Sequence, residues 1–151
     1  MEAPDFRVML SKMCKTAIKA VIFLCSQTDK DAYVGIKQIA DAINSSEHTV
    51  GKILQSLVKG GIINSIKGPS GGFFITEAQG SLPLIKIVEA IDGREKFTEC
   101  GLGLSKCSAS HPCPIHHLYE PIRNGMERVF REKKVCDLCH RVNMGEAYLA
   151  G

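Results

Sequence analysis

Two short segments of helical periodicity, joined by the polar turn 44–46, constrain the fold of this chain more than any other feature. Apolar residues recur at helical spacing on both sides of this turn, which predicts two helices. Serine is a good N-cap, and Gly60 and Gly61 tolerate the left-handed conformation with which helices often end. Two short helices around a tight polar turn form the helix-turn-helix pattern.

A β-hairpin is predicted directly after the second of these helices. Residues 62–66 and 73–76 have the pattern of two strands, and the glycine-rich turn 67–72 separates them. A recognition helix followed by such a hairpin predicts a winged helix. The fold class is therefore mainly α with a small β-hairpin wing, preceded by an amphipathic first helix over 11–27 and a short extended segment over 32–34.

The rest of the chain divides by composition. We predict a DNA-binding domain over 1–80, a connecting helix over 81–99, a cysteine-rich loop over 100–117, a long helix over 118–135 and a flexible tail over 136–151. The long helix should start near Tyr119, which would leave Pro121 in its first turn. Its apolar stripe packs either on its own domain or on a second copy, and we favour a C-terminal dimerisation helix. The members of the stripe are Ile115, Leu118, Ile122, Met126, Val129 and Phe130.

The outward face of the predicted recognition helix is polar and cationic. With Val50, Ile53 and Leu54 facing inward, the residues expected to read base edges are Ser45, His48, Thr49 and Lys52, with Gln55 marginal and Lys59 on phosphate. Any surface helix shows a polar outer face, so the helix alone does not decide the matter. The wing favours DNA, because its glycines let the backbone approach a phosphate or the minor groove. Its candidate contacts are Lys67, Gly68, Pro69, Ser70, Gly71 and Gly72.

Cysteine is used unusually here: there are seven, an odd number, and five lie between Cys100 and Cys139. A secreted disulfide scaffold is normally shorter, has an even count and follows an export signal. The first residues are acidic, and Lys15 and Lys19 interrupt the first apolar stretch. We therefore expect a cytoplasmic protein with no membrane association, in which clustered cysteines serve metal or redox chemistry. The net charge of +3 permits nucleic acid binding without demanding it.

Three of these cysteines, Cys100, Cys107 and Cys113, lie in a segment rich in glycine and proline. A loop of this kind can wrap three thiolates around an iron–sulfur cluster, whereas structural zinc usually takes pairs two to four residues apart. A two-iron cluster needs a fourth ligand, for which His116 is the first candidate and His117 and His111 are the next. The alternative interpretations are three unrelated thiols and a zinc-binding adaptor.

The order of these features resembles the Rrf-type winged-helix regulators over nearly the whole chain, from about Leu10 to about Phe130. The resemblance rests on the serine-capped recognition helix, the segments Lys67-Gly-Pro-Ser-Gly-Gly72-Phe73 and Ile87-Val-Glu-Ala-Ile-Asp-Gly93, and the pattern Cys100…Cys107…Cys113-Pro-Ile-His116. It implies a homodimeric repressor that binds a double-stranded DNA operator and needs no small-molecule substrate. It also implies a 2Fe-2S cluster on Cys100, Cys107, Cys113 and His116 that senses iron–sulfur status, nitric oxide or redox state.

The chain departs from the family pattern at three places. Six residues separate Cys100 from Cys107, where five are common, and Lys15 stands where some members place an acidic fourth ligand. Since lysine cannot take that role, His116 is favoured. Gly51 replaces a common glutamate of the recognition helix, so the operator sequence should differ. Other members of the family keep the fold without a cluster and respond to partner proteins.

Four cysteines remain outside this pattern. Cys14 and Cys25 lie on the apolar face of the first helix and are expected to be core residues. Cys136 and Cys139 have the spacing of a haem attachment site, but covalent haem needs export, so a pair of free or redox-active thiols is the simpler interpretation. A thiol oxidoreductase built on this pair is disfavoured because no βαβ pattern surrounds it. We therefore expect a regulator and not an enzyme.

Overall fold

The computed structural model describes residues 10–27 and 33–151. Its helices are α1 (Lys12–Ser26), α2 (Ile36–Ala42), α3 (Glu47–Lys59), α4 (Glu77–Gly80), α5 (Ile85–Asp92), α6 (His116–Glu132) and α7 (Val135–Asn143), and its strands are β1 (Asn64–Ile66) and β2 (Gly72–Phe74). A 3-10 turn, Arg94–Phe97, follows α5. Ala32 and the first nine residues of the predicted DNA-binding domain lie outside the described residues. Within the described part, no helix is both long and apolar enough to cross a membrane.

The predicted helix-turn-helix is confirmed by α2 and α3. The Ser46 side chain caps α3 by accepting a hydrogen bond from the Thr49 N–H at 3.2 Å. Asn44 takes a positive φ of 54° in the turn, a conformation that asparagine tolerates better than most residues. At the other end, α3 stops before Gly60, and Gly61 supplies the left-handed conformation with a φ of 74°.

The wing is an antiparallel pair in which Ser65 lies opposite Phe73. Both strands are shorter than predicted: Ile62 and Ile63, at the start of the first segment, are buried in the core, and the second strand ends at Phe74. A third backbone segment supports the wing: Val34 and Phe73 exchange two backbone hydrogen bonds of 2.8 and 2.9 Å. The base of the wing is thus fastened to the chain just before α2.

The main core lies between α1, α2, α3 and α5. Its fully buried side chains include Val21, Ile39, Ile43, Val50, Ile53, Leu54, Leu57, Ile63 and Ile87. A second apolar cluster of Leu10, Cys14, Ile85, Val88 and Phe97 continues the core towards α6. The recognition helix α3 is therefore held rigidly by its inner face.

The predicted flexible tail is wrong, because the chain folds into α7 and packs on α1. Val135 is fully buried, and its N–H donates to the Leu82 carbonyl at 3.1 Å. The Leu84 N–H donates to the Lys133 carbonyl at 2.9 Å, so both sides of the α6–α7 junction are fastened. Val135 and Cys139 recur at helical spacing and bury one face of α7, which gives this short segment its order.

The long helix also begins earlier than predicted, at His116 and not near Tyr119. Pro121 therefore lies beyond the first turn, inside the helix. Proline has no N–H, so one intrahelical hydrogen bond is lost there. The earlier start brings His116 into the first turn of α6, next to the cysteine-rich loop.

Replacing Ile53 with alanine should lower the free energy of unfolding by about 2–5 kcal/mol, because it removes a fully buried side chain from the centre of α3. Urea denaturation measures this. Gln55→Ala, on the exposed side of the same helix, is the matched control and should stay within about 0.5 kcal/mol of the wild type. Equal denaturation midpoints for the two variants would contradict this placement of α3.

Candidate metal centre and nucleic-acid interface

The cysteine-rich segment is a loop packed against the start of α6. Residues 100–115, all of them described, form no regular helix or strand, as predicted. Gly101 lies directly against the Tyr119 ring, and a Cβ there would come within 2.8 Å of the ring. Gly103 takes a positive φ of 79°. The two glycines thus let the loop turn tightly while it stays close to the helix.

Cys100 and Cys113 form one buried pair in this loop. Backbone N–H groups lower the pKa of the Cys100 thiol, with Leu102 contributing most and Leu104 next, and a hydrogen bond from Cys113 lowers it further against the opposing effect of burial. The Leu102 nitrogen lies 3.4 Å from the Cys100 sulfur. A lower pKa favours the thiolate, which is the form that binds metals.

Cys107 and His116 form a second pair. The Cys107 sulfur lies 3.3 Å from His116 Nδ1, and the other ring nitrogen, Nε2, lies 3.0 Å from a Glu120 carboxylate oxygen. Metal-binding histidines commonly donate their second N–H to a carboxylate, which fixes the ring and leaves the first nitrogen for the metal. His116 is buried, whereas His111 and His117 are exposed. Of these three histidines, His116 therefore suits a ligand best.

Two residues at this site were missed by the sequence analysis. Glu120 orients His116, and Arg123 is buried beside them. The Arg123 guanidinium donates to the Glu99 carbonyl at 2.9 Å and lies 3.9 Å from Glu120. Its Nε is buried and has no hydrogen-bond partner among the described residues. The spacing of these three side chains, four and then three residues apart, puts them on one helix face and could have signalled the group.

The site as a whole offers four soft or borderline donors and one buried cation. The donors are the sulfurs of Cys100, Cys107 and Cys113 and the ring of His116, and the structure brings them together in two pairs, Cys100 with Cys113 and Cys107 with His116. A buried cation is costly unless it is paired, and Arg123 has one unsatisfied donor. The donor chemistry therefore fits an anionic thiolate–metal group and not a neutral ligand.

The recognition helix α3 presents His48, Lys52, Gln55 and Lys59 to solvent. Ser45 and Thr49 are only half-exposed, and the Ser46 hydroxyl donates to the Thr49 hydroxyl at 2.9 Å. Of the predicted reading residues, Thr49 is therefore engaged in the cap of α3, and both Thr49 and Ser45 are less accessible than the others. A cleft of about 410 Å³ separates α3 from the wing, and both Lys59 and Lys67 line it.

The tip of the wing is exposed at Lys67, Gly68, Pro69 and Ser70. Gly71 and Gly72 are half-buried, and here glycine has a structural reason. A Cβ on Gly71 would lie 2.0 Å from the Ile66 carbonyl oxygen, and one on Gly72 would lie 2.8 Å from the Val34 carbonyl oxygen. These glycines close the base of the wing, so the surface free to approach DNA is the exposed tip before them.

The predicted apolar stripe of α6 is divided between two surfaces. Met126 and Phe130 pack on their own domain, where the Phe130 ring lies 5.6 Å from that of Phe97. In contrast, Leu118, Ile122 and Val129 are 74%, 63% and 52% exposed. An apolar helix face of this kind commonly marks an interaction surface.

A family profile and related sequences both match this chain to transcriptional regulators. The sequence profile of a family described as Rrf2, iron-dependent transcriptional regulator, matches residues 10–141. An HTH-type transcriptional regulator of Aquifex aeolicus is 27% identical over 94% of this chain and 96% of its own length. NsrR of Geobacillus kaustophilus is 32% identical over 69% of this chain and 65% of its own. The structure of CymR, the global cysteine regulator of B. subtilis, superposes with a TM-score of 0.66 at 21% identity, over 87% of this chain and 95% of that one.

Proposed function

Since the chain belongs to the Rrf2 family of transcriptional regulators, which are not enzymes, we propose that it is a homodimeric repressor whose operator affinity depends on an iron–sulfur cluster. The cluster we propose is of the 2Fe-2S type. It would be held by Cys100, Cys107, Cys113 and His116. The signal would be iron–sulfur status, nitric oxide or redox state.

The arrangement of the donors in two pairs is the observation that carries this proposal. Each iron of a two-iron cluster takes two protein ligands. Cys100 with Cys113, and Cys107 with His116, would supply two such pairs from one loop and the helix turn that follows it. Anaerobically purified protein should be brown and contain about two iron and two sulfide ions per chain. Colourless, iron-free protein would refute the cluster.

A histidine ligand at His116 would affect the reduction potential of the proposed cluster. A bound cluster would supply an oxidant-sensitive redox centre, and a histidine ligand raises its reduction potential relative to cysteine. The Glu120 carboxylate lies 3.0 Å from Nε2 of His116 and fixes the ring, which leaves Nδ1 turned towards Cys107. Arg123 lies 3.9 Å from the same Glu120 carboxylate and adds a buried positive charge to the site.

The position of the loop suggests how the centre controls DNA binding. The loop connects the 3-10 turn after α5 to α6, and α6 carries the exposed apolar face. Ordering the loop would therefore set where the dimerisation helix lies relative to the winged domain. Dimers of helix-turn-helix proteins read half-sites about one helical turn apart, so a shift of a few ångströms between recognition helices changes affinity.

Replacing Lys52 or Lys67 with alanine should weaken operator binding and reduce its salt dependence by about one unit of slope each, because each lysine neutralises one phosphate. Both side chains are exposed on the proposed DNA face. Fluorescence anisotropy with operator DNA at several salt concentrations measures the slope. The control Lys86→Ala, an exposed lysine on α5, should bind like the wild type. If Lys86→Ala loses as much affinity as Lys52→Ala, the DNA face is wrongly assigned.

One observation favours a second candidate. Cys107, His116 and Glu120 offer ligand atoms that all lie within 4.8 Å of one another, as a single metal ion requires. A regulator of the same fold could hold zinc or ferrous iron there without sulfide, or respond to a partner protein or to thiol oxidation. Sulfide analysis separates these cases, since only the cluster contains acid-labile sulfide.

A further inference from the structure

A second group of cysteines lies away from the candidate metal centre, where α1 meets α7. Cys25 in the last turn of α1 points its thiol at Cys139 in α7, and the two sulfurs are 3.1 Å apart. The Cys139 thiol also donates to the Cys136 carbonyl at 3.3 Å. The sequence pattern paired Cys136 with Cys139 and placed Cys25 in the core, but the structure puts Cys25 opposite Cys139.

Cys25 and Cys14 share α1 but differ in access. Cys14 is fully buried, and burial together with the Asp92 carboxylate raises its pKa to about 12, so it stays protonated. Cys25 is half-buried and lines a cavity of about 300 Å³ together with Cys136 and Cys139. A small solute can therefore reach Cys25, while Cys14 is closed to it.

The same cavity reaches the base of the wing. Val34 and Phe73, whose backbones pair, form part of its lining. The cavity thus places three thiols next to α1, α7 and the base of the wing. Oxidation of these thiols would therefore act on the elements that position the DNA-binding face.

We propose that Cys25 and Cys139 are a redox-active pair that forms a disulfide when a hydroperoxide enters this cavity. The Cys25 sulfur attacks the peroxide oxygen, the O–O bond breaks, and the Cys25 thiol proton goes to the departing oxygen, so that an alcohol or water leaves and Cys25 becomes a sulfenic acid. The Cys139 sulfur then attacks the Cys25 sulfur, the S–O bond breaks, the Cys139 proton goes to the departing hydroxyl, and one water molecule leaves. Two thiols are oxidised by two electrons, and one hydroperoxide is reduced.

The geometry needs little rearrangement for this reaction. The sulfurs must close from 3.1 Å to about 2.05 Å, a movement that two packed helices can accommodate. The bond would join positions 114 residues apart, so it would fasten α7 to α1 across nearly the whole chain. A cross-link over such a long loop strongly restricts the unfolded state. The oxidised protein should therefore be more stable, whether or not a cluster is bound.

Mass mapping of the full-length protein tests the pair directly. After treatment with hydrogen peroxide and blocking of remaining thiols with N-ethylmaleimide, the peptides containing Cys25 and Cys139 should be recovered joined, with two hydrogens lost. The thermal midpoint should rise by about 5 °C or more and return when dithiothreitol is added. Cys25→Ser and Cys139→Ser should both lose the joined peptide and the rise.

Cys136→Ser is the matched control, since it removes a thiol from the same helix and cavity and should keep both effects. Recovery of Cys25 with the maleimide label after oxidation would overturn the proposal, as would a peptide joining Cys136 to Cys139. The three cysteines of the metal-centre loop lie on other peptides, so damage to a cluster is read separately. Failure of this pair therefore leaves the proposed cluster untouched, and the reverse also holds.

Discussion

Replacing Cys107 with alanine is expected to remove nearly all iron and acid-labile sulfide from the anaerobically isolated protein. The wild type should hold about two of each per chain. The variant lacks the sulfur that lies 3.3 Å from His116 Nδ1, so the second donor pair is broken while Cys100 and Cys113 are untouched. Colorimetric iron and sulfide analysis and the thiolate-to-iron absorption measure the loss. The fold should persist, because Cys107 is only half-buried.

Two controls make this result specific to the proposed ligands. Cys136→Ala removes a half-buried cysteine outside the loop and should retain the wild-type iron content. His116→Ala should lose or destabilise the cluster, whereas His117→Ala should keep it, because His117 is exposed. A His117→Ala variant that loses iron while His116→Ala retains it would show that the fourth ligand is wrongly chosen.

The winged helix was predictable because its signals are local. The serine cap of α3, the glycine at its end and the apolar period of its inner face each act within a few residues, and each is found in the structure. The wing was predicted at the right place but too long. Ile62 and Ile63 are residues typical of strands, yet they are buried in the core before the hairpin begins. Composition alone cannot distinguish a hairpin strand from a buried connection.

Other features of the structure were not predicted because they depend on tertiary contacts. α7 is ordered because Val135 and Cys139 are buried against elements far away in the chain. The sequence pattern of so short a helix does not predict that burial. Burial of Arg123 likewise requires the Glu99 carbonyl, which belongs to the preceding loop. Cys25 and Cys139 lie 114 residues apart, so no spacing pattern could have joined them.

The candidate metal centre has some features that the sequence predicts and others that only the structure shows. Its cysteines were recognisable because they cluster in a loop that glycine and proline keep irregular, and His116 was recognisable by its closeness to Cys113. The sequence already ranked His116 before His117 and His111, and the structure adds a physical reason, since it buries His116 and leaves the other two exposed. The helix start at His116, three residues earlier than predicted, is what brings the ring to Cys107.

The exposed face of α6 leads to the second large effect. Ile122→Glu should convert the protein to a monomer and lower operator affinity by about 100-fold or more, because two half-sites would no longer be bound by linked domains. Ile122 is 63% exposed in the single chain and lies between Leu118 and Val129 on the face left uncovered. A charge placed there costs little in the monomer but is buried without a partner in the dimer. Sedimentation analysis and anisotropy with operator DNA measure the two effects.

Asn124→Glu is the matched control, because it adds the same charge to an exposed position of α6 about 200° away around the helix. It should remain dimeric and bind the operator like the wild type. Unchanged thermal unfolding of Ile122→Glu at a concentration where the wild type is also monomeric would show that only assembly is affected. If Ile122→Glu stays dimeric, the dimer uses another surface, and the uncovered residues of α6 serve a different partner.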